Sequence, residues 1–447
     1  MGDKRRQLAL GFSLVSNGTH GAGWRHPDSP PDITLDIAAW KELARTAERG
    51  KIHFIFFADG AAVRTEAKSE EALSYIGRID MFEPLTLIAA LTQATERIGF
   101  VSTASTTYNE PYALARKFAS LDHLSGGRVG WNLVTTWSEA EALNFNRDKN
   151  PPHSQRYERA QEFIDVATGL WDSWEDDAFL RDKESGRYFD PKKMHVLNHK
   201  GEHFQVKGPL NIARPPQGYP VIAQAGASEP GQELAARTAD IVYTAQQSKE
   251  SAQKFYQSLK GRLGKHGRSE DDLKIIPGAL LTIGRTDEEA REKQALLQNL
   301  IHPEVGLSLL LGMFGDLSGY PIDGPVPEIP TETNGLKSIL QSWHDRLKRE
   351  PMTIRQLYQA VASGSGHLSL VGSVKTIADQ FEDWFTTKAC DGFAIMVPFM
   401  PGGIDDAVNL LVPELQRRGL FHLDYEGHTL RESLGLPRPA NRFAKAK

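Results

Sequence analysis

The chain has 447 residues, of which 40% are hydrophobic, 24% charged and 9% aromatic. This composition is typical of a soluble globular protein and excludes a disordered, collagen-like or coiled-coil chain. Lys and Arg (52) nearly balance Asp and Glu (57), the net charge is −5, and no stretch concentrates basic residues, so nucleic acid is not an expected partner. No run approaches the ~18 apolar residues of a membrane span, and one cysteine, Cys390, suits a reducing cytoplasm.

Along the chain, short apolar runs rich in β-branched and aromatic residues alternate with longer helical patterns. The pattern predicts eight strand–helix units. The strands are Leu8–Val15, Lys51–Ala58, Gly99–Ser105, Arg128–Val134, Pro220–Gln224, Ile241–Thr244, Ile275–Ile283 and Gly392–Val397. The helices are Leu35–Glu48, Glu83–Glu96, Tyr112–Leu124, Arg156–Trp174, Gly231–Thr238, Ala252–Leu263, Glu288–Leu300 and Ile404–Arg417.

Eight alternating units predict an α/β fold, and they fit a closed (β/α)8 TIM barrel better than an open doubly wound sheet. Two stretches do not fit the eightfold count. Residues 178–212 carry Gly and Asn turns and predict a β-hairpin insertion before strand five. Residues 301–370, with a helical piece at Leu336–Arg349, predict a lid-like insertion after helix seven. Neither is treated as a separate domain, so one domain spans 1–447.

In barrel enzymes the active site lies at the C-terminal ends of the strands, so the residues that follow each strand are the first candidates. The side chains at these positions can form hydrogen bonds, but none of them is a nucleophile paired with a base. Such a set suits the binding of a polar cofactor. These candidates are Asn17, His20, Trp24 and His26 after strand one, Asp59 after strand two, Thr103 and Ser105 on strand three, Asn132, Thr135 and Thr136 on or after strand four, and Gly226, Ala227 and Ser228 after strand five.

The segment Gln224–Gly231 (QAGASEPG) combines a strand end, a turn of small residues and a helix start. Unpaired backbone N–H groups at a helix start, with the Ser228 hydroxyl beside them, can bind an anion. The segment lacks the Lys-Ser/Thr of a P-loop, which disfavours a nucleoside triphosphate. The alternative is that Ser228 only caps the helix, and the residues alone favour that reading.

His153 and Tyr157 lie four residues apart at the start of the fourth helix, and this spacing puts both on one face. Pro151 and Pro152 place them near the end of strand four. A role in binding and a role in packing are both compatible with this position.

His195, His199 and His203 repeat every fourth residue and raise the question of a metal site. Gly201 and its neighbours predict a hairpin, where a period of four does not gather ligands as it would on a helix. We therefore expect no metal.

Several long motifs resemble one enzyme group, the nitrilotriacetate and dibenzothiophene sulfone monooxygenases, within the bacterial luciferase-like flavin monooxygenases. The resemblance spans nearly the whole chain. The motifs are GWRHPD at 23–28, AERGK at 47–51, FFADG at 56–60, LDHLSGGRVGWNLVTT at 121–136, RYERAQEFIDVATGLWDSW at 156–174, HKGEHFQVKGPLN at 199–211, PVIAQAGASEPG at 220–231 and VPELQRRGLFHLDYEGHTLRESLGL at 412–436.

The resemblance implies a (β/α)8 barrel that uses reduced FMN (FMNH2) and O2 to oxygenate a small organic substrate, a sulfur- or nitrogen-containing compound. FMN would be reduced by a separate NAD(P)H-dependent flavin reductase. Carried over by motif, the residues that match the flavin contacts are Asp59, Thr103, Ser105, His153, Tyr157, Ala227 and Ser228. His20, Trp24 and Asn132 are the candidates for the catalytic side, and the 301–370 insertion is the expected lid.

Two other functions are weighed against a two-component monooxygenase. One is a deazaflavin-dependent hydride-transfer reductase, and the other is a non-catalytic flavin-binding protein, since both occur among wider relatives of the resembled family. We expect a cytoplasmic homo-oligomer, a dimer or a tetramer, with no membrane partner. The sequence leaves the substrate open.

Overall fold

The computed structural model describes residues 6–63, 69–136, 138–328, 343–344, 346–364 and 366–444. Within these residues, parallel strands form a barrel at the centre of the molecule. Strand β9 pairs with β8 on one side and β11 on the other, which closes the ring β1-β2-β3-β4-β7-β8-β9-β11. The strands are β1 (Ala9–Leu14), β2 (Phe54–Phe57), β3 (Gly99–Ser105), β4 (Val129–Val134), β5 (His199–Lys200), β6 (Gln205–Val206), β7 (Val221–Gln224), β8 (Ile241–Thr244), β9 (Lys274–Gly284), β10 (Leu368–Ser373) and β11 (Gly392–Met396).

Helices connect the strands and cover the outside of the barrel. Most begin at a side chain that caps the first turn, such as Asp36, Ser248, Thr286 and Ser373, which fixes where each helix leaves its loop. The helices are α1 (Ile37–Arg49), α2 (Glu70–Ser74), α3 (Pro84–Leu91), α4 (Pro111–Ser125), α5 (Glu139–Asn144), α6 (His153–Trp171), α7 (Glu229–Thr238), α8 (Lys249–Lys260), α9 (Asp287–Asn299), α10 (Pro303–Phe314), α11 (Ile354–Ala362), α12 (Val374–Thr386), α13 (Gly402–Asp406), α14 (Val412–Arg417) and α15 (Leu430–Ser433).

The predicted (β/α)8 barrel is confirmed, and its eight predicted strands are the eight strands of the ring. The sequence analysis missed β10, which pairs with β9 through Leu368 to Ser373. Both β10 and β11 pair with Ala279 and Leu280, so they flank β9 on opposite edges. No strand is predicted here because LSLVGS is short and half-exposed, without the continuous apolar run of a buried strand. The predicted lid boundary at residue 370 consequently lies inside a strand.

The two predicted insertions have different structures. Residues 178–212 are mostly irregular, and their hairpin is limited to the two-residue strands β5 and β6. In 301–370, α10, α11 and Trp343 form a second apolar core, separate from the barrel core, and Tyr358 of α11 is part of it. Ala22, in the loop after β1, belongs to this core, so the insertion rests on that loop. Most of the predicted helix at Leu336–Arg349 lies outside the described residues, and the lid role stays a prediction.

The end of the chain closes the bottom of the barrel. Leu430, Leu434 and Leu436 pack with barrel-lining side chains such as Ala9 and Val221. We call residues 430–436 the plug. Gly99 makes room for it, since a Cβ there would lie 2.5 Å from a Leu430 methyl carbon. Arg431 holds the plug in place with two hydrogen bonds to Asp240, of 2.7 and 2.9 Å, and both residues are buried.

We expect Arg431→Met to lower the free energy of unfolding by about 3–5 kcal/mol, because it leaves the buried Asp240 carboxylate without its charge partner. The matched control is Arg438→Met in the same tail, where the pair with Asp176 is about half exposed and should contribute less than about 1 kcal/mol. Urea unfolding measures both changes. Equal losses of unfolding free energy in the two variants would contradict the role of Arg431 in holding the plug against the barrel.

Candidate active site

Two adjoining cavities open at the C-terminal ends of β2, β3, β4 and β7. Cavity A, of about 380 Å³, lies between β4 and β7, and cavity B, of about 410 Å³, lies between β2 and β4. Ligand pockets usually measure ~300–1,000 Å³. Both cavities are lined by Asp59, Val134, Thr136 and Glu141. Cavity A adds His153, Arg156, Tyr157 and Gly226, and cavity B adds Glu83, Thr103, Ser105, Tyr108, Lys117 and Phe145.

Asp59 lies where the two cavities meet, two residues beyond β2. Burial raises the pKa of its carboxyl to about 6, and the negative charges of Glu83 and Glu141 add to the shift. A carboxyl held in a cavity at such a pKa is a candidate for a functional group. The position is compatible with the polar role that the sequence predicts for Asp59.

Thr103 and Asn132 form a hydrogen-bonded pair on neighbouring strands. The Asn132 amide nitrogen donates to the Thr103 hydroxyl at 2.8 Å, and that hydroxyl donates to the Phe57 carbonyl at 2.8 Å. The Asn132 amide oxygen is buried and has no hydrogen-bond partner among the described residues. Because an unpaired buried acceptor is costly, this oxygen is suited to a donor on a bound molecule. Ser105, the last residue of β3, accepts from the Thr136 hydroxyl at 2.7 Å.

His153 and Tyr157 come together on the first turns of α6, with ring centroids 4.8 Å apart. The Tyr157 hydroxyl reaches the turn after β7, since a Cβ added to Gly226 would lie 3.2 Å from it. The structure therefore joins the two predicted binding segments, His153–Tyr157 and Gln224–Gly231, at one end of cavity A. Gly226 leaves the space between them.

Arg156 is a residue of this site that the sequence analysis missed. It lines cavity A, its guanidinium donates to the Thr135 and Thr136 carbonyls, and its Nε is buried without a partner among the described residues. The guanidinium places a positive charge beside Tyr157 and Gly226. The helical spacing from His153 is three residues, which puts Arg156 on the same face and could have identified it.

Ser228 begins α7, and its hydroxyl accepts from the Gly231 N–H at 3.3 Å. Ser228 and Ala227 are exposed beside the cavity and do not line it. The capping reading of Ser228 is thus seen directly, and the anion-binding reading stays compatible because the turn opens towards Tyr157 and Arg156.

His20 and Trp24 lie apart from both cavities, in the loop after β1. His20 is buried, and its Nδ1 accepts from the Ala22 N–H at 3.1 Å. Burial lowers the pKa of His20 to about 4, helped by the positive charge of Arg78, so the ring is neutral at pH 7 with its proton on Nε2. Neither His20 Nε2 nor Trp24 Nε1 has a partner among the described residues.

Two of the three histidines of the metal question contact carboxylates, and the third, His203, has no partner for its Nε2 among the described residues. His195 contacts Glu175 at 3.0 Å and His199 contacts Glu162 at 2.8 Å. In the part of the chain that the structure describes, no group of three or more His, Cys, Asp or Glu side chains is arranged to hold a metal ion. Among the same residues, no helix is both long enough and apolar enough to cross a membrane.

Comparison with known proteins places this fold and site in a family. Residues 14–389 match the family model for luciferase-like monooxygenases. The chain is 50% identical to N-acetyl-S-(2-succino)cysteine monooxygenase of Bacillus subtilis (strain 168) over the whole of both chains, and 50% identical to nitrilotriacetate monooxygenase component A of Aminobacter aminovorans over 98% of this chain and 99% of that one. Among solved structures, DmoA from Hyphomicrobium sulfonivorans matches with a TM-score of 0.87 at 33% identity, covering 96% of this chain and 92% of that chain.

The chain belongs to the luciferase-like monooxygenase family. It is an oxidoreductase of the two-component, flavin-dependent monooxygenase type, as the resemblance implies. Dibenzothiophene-sulfone monooxygenase of Rhodococcus erythropolis, 38% identical over 98% of both chains, also confirms the predicted group. The full-length identity to monooxygenases favours this function over the two alternatives, a hydride-transfer reductase and a non-catalytic flavin-binding protein.

The residues present at the cavities fit a flavin. A flavin combines a flat polar ring with a polyhydroxyl chain that can end in a phosphate, so it needs hydrogen-bond donors and acceptors at one end and positive charge at the other. Asn132 Oδ1 and Arg156 Nε are buried polar atoms without partners among the described residues. The space beside Gly226, next to Arg156 and Tyr157, suits a phosphate.

We expect Asp59→Asn to stabilise the protein without cofactor at pH 7. The folded state raises the pKa of Asp59 from 3.8 to about 6, so the ionised group opposes folding above pH 6, and this cost fades as the pH falls towards 4. The neutral amide removes the cost, at most about 3 kcal/mol. Urea unfolding from pH 7 down to pH 4 should show a gain that shrinks, whereas Asp32→Asn, on an exposed turn, should show none. A gain independent of pH would contradict this reading.

The Ser228→Asp variant separates the two readings of Ser228. Aspartate caps a helix as well as serine, so thermal stability should stay the same. If the hydroxyl also binds a phosphate, the new carboxylate repels it and a charge-assisted hydrogen bond is lost, and reduced-FMN affinity should fall roughly 10- to 150-fold. Ser248→Asp, at the capping serine of α8, is the control and should bind normally. Unchanged affinity in Ser228→Asp would remove Ser228 from the site.

Proposed function

We propose that the protein binds FMN, reduced by a separate NAD(P)H-dependent flavin reductase, and uses O2 to oxygenate a small sulfur- or nitrogen-containing organic substrate. The observation that carries this proposal is the pair of adjoining cavities at the rim, lined by Thr103 and Ser105 on one side, by Arg156 and Tyr157 on the other, and by Asp59 where they meet. Reduced FMN would supply the chemistry, activating O2 for transfer of one oxygen atom.

The phosphate of FMN would be held at cavity A. Arg156 would provide positive charge, Tyr157 and His153 would provide hydrogen bonds, and the turn Ala227–Ser228 would offer its own backbone N–H groups. A dianion gains most where a fixed cation and oriented N–H groups converge. This end of the site supplies affinity and takes no part in the oxygenation.

The ring of the flavin would lie towards cavity B and the centre of the barrel. Asp59, Thr103 and Ser105 line that side, and Asn132 reaches it through Thr103. These groups would orient the ring by hydrogen bonds. His20 and Trp24, each with an unpaired N–H, are proposed to donate hydrogen bonds on the side of the flavin where O2 would react. The 301–370 insertion would limit the entry of water over them.

The partners follow from the same proposal. The reductase is functionally required, and the enzyme works as a homo-oligomer in the cytoplasm, where reduced nicotinamide is available. Both relatives at 50% identity are named for small molecules that carry several carboxylates. We take such compounds as the first substrates to try.

The test of this proposal is oxygen and NADH consumption by the purified protein with FMN. Alone it should consume no NADH, because no GxGxxG follows a strand to bind a dinucleotide. With a flavin reductase and N-acetyl-S-(2-succino)cysteine or nitrilotriacetate, it should show substrate-dependent oxygen uptake. Steady NADH oxidation without the reductase would contradict the two-component assignment. Binding of FMN without substrate-dependent uptake across a broad panel would instead indicate a flavin carrier.

A further inference from the structure

Thr136 lies at the junction of the two cavities in a strained backbone conformation. It is two residues past β4 and lines both cavities. Its φ angle is 50°, in the left-handed region, which a β-branched residue rarely adopts because its side chain crowds the backbone. A residue stays in such a conformation only where its surroundings hold it. Thr136 therefore depends on the contacts that fix it.

The Thr136 carbonyl receives two hydrogen bonds from side chains. The Asn150 amide nitrogen donates to it at 3.1 Å, and Arg156 Nη1 donates to it as well. A backbone carbonyl can only accept, so this contact fixes the amide orientation of Asn150 and the direction of both bonds. Rotation of Thr136 out of the left-handed region would move its carbonyl away from both donors.

Asn150 is itself held at three points. Its amide nitrogen donates to Thr136, its amide oxygen accepts from the Tyr108 hydroxyl at 2.9 Å, and its backbone N–H donates to Glu139 Oε2 at 2.8 Å. Asn150 is buried and lines neither cavity, so it supports the site from behind. Because its three partners belong to three different segments, its amide has little freedom to turn.

Arg156 carries the effect of these contacts into cavity A, which it lines. Its Nη1 donates to the Thr136 carbonyl and, at 3.3 Å, to the Thr135 carbonyl, so both hydrogens of Nη1 are used. Nη2 has no hydrogen-bond partner among the described residues and, unlike Nε, is not buried. Because the guanidinium is planar and rigid, fixing Nη1 also limits where Nη2 can lie.

The orientation of Arg156 matters because cavity A also contains acidic groups. Glu141 and Asp59 line the same cavity. A guanidinium that was free to turn would be drawn to one of these carboxylates and would be less available to a bound phosphate. Two backbone carbonyls hold the Arg156 side chain without neutralising its positive charge.

We propose that Asn150 is a positioning residue for the phosphate of FMN. It holds the Thr136 carbonyl in place, that carbonyl fixes Arg156, and Arg156 Nη2 donates to the phosphate in cavity A. The inference rests on the proposed function, since it explains how the phosphate end of the same site is shaped before FMN binds. A side chain oriented in advance loses less conformational entropy when its ligand arrives.

The test compares the binding of reduced FMN with that of reduced riboflavin, which has the same ring and ribityl chain but no phosphate. Anaerobic calorimetry measures both affinities for the purified protein. Asn150→Leu keeps the approximate size of the side chain and removes its hydrogen bonds. It should weaken FMN binding about three- to tenfold and change riboflavin binding by less than about twofold. A purely structural role of Asn150 would weaken the binding of both flavins alike.

A double-mutant cycle tests whether Asn150 acts through Arg156. Arg156→Met removes the charge-assisted hydrogen bond to the phosphate and should weaken FMN binding roughly 10- to 150-fold. In the Arg156→Met background, Asn150→Leu should cause no further loss of FMN affinity, because the side chain that Asn150 positions is absent. Additive losses would show that the two residues act independently.

Asn441→Leu is the matched control. Asn441 is buried like Asn150, its amide nitrogen also donates to backbone carbonyls, those of Asp172 and Trp174, and it lines neither cavity. This variant should lower thermal stability and bind both flavins like the unmodified protein. If Asn150→Leu does not fold, Asn150→Ala, which removes the same bonds with a smaller side chain, takes its place in every measurement.

Three results would contradict this role of Asn150. They are an unchanged FMN affinity in the Asn150 variant, an equal loss of affinity for FMN and riboflavin, and an additive loss in the cycle. Equal affinity of the unmodified protein for FMN and riboflavin would also overturn the inference, since no phosphate would then be held at Arg156, but it would leave flavin binding intact. Failure of the proposed function is distinguished because the unmodified protein would then bind neither flavin.

Discussion

The closure of parallel strands into a ring is the constraint on which the rest of the structure depends. All eight strands run the same way, so their C-terminal ends meet at one rim, and side chains distant in sequence become neighbours there. The Asn132–Thr103 bond and the Tyr243–Phe56 stack both depend on this register. The interior between the ends is filled with apolar side chains, so polar groups that face inward are confined to the mouth.

The rim separates charges in a way that suits its proposed contents. Acidic groups surround Asp59 where the two cavities meet, and a cationic group stands at each side of them, Arg156 beside the turn after β7 and Arg78 beside His20. A cofactor with a phosphate at one end and a substrate with a carboxylate would thus be drawn to opposite sides. The flavin ring between them would face Asp59, whose pKa is raised by burial.

The sequence predicted the barrel because each strand is buried on both faces and reads as a continuous apolar run, as in Phe54–Phe57. Strand ends then located Asp59, Thr103 and Asn132 at the rim without any contact information. It could not identify Asn150. This residue lies in an irregular segment between α5 and α6, so its side-chain bonds depend on how that segment returns to the strand ends. Contacts between loops of this kind leave no periodic signal in the chain.

The plug at the bottom of the barrel also affects the order in which the protein can be made. The proposed FMN contacts lie between Asp59 and Ser228, but the ring that holds them is completed only by β11 and sealed by Leu430 and Leu436. During synthesis the first half of the chain leaves the ribosome with its sheet open and unpaired edges on β1 and β8. The nascent protein therefore has to stay unaggregated until its last strand and plug emerge, and it gains a mouth able to hold a cofactor only at the end of translation.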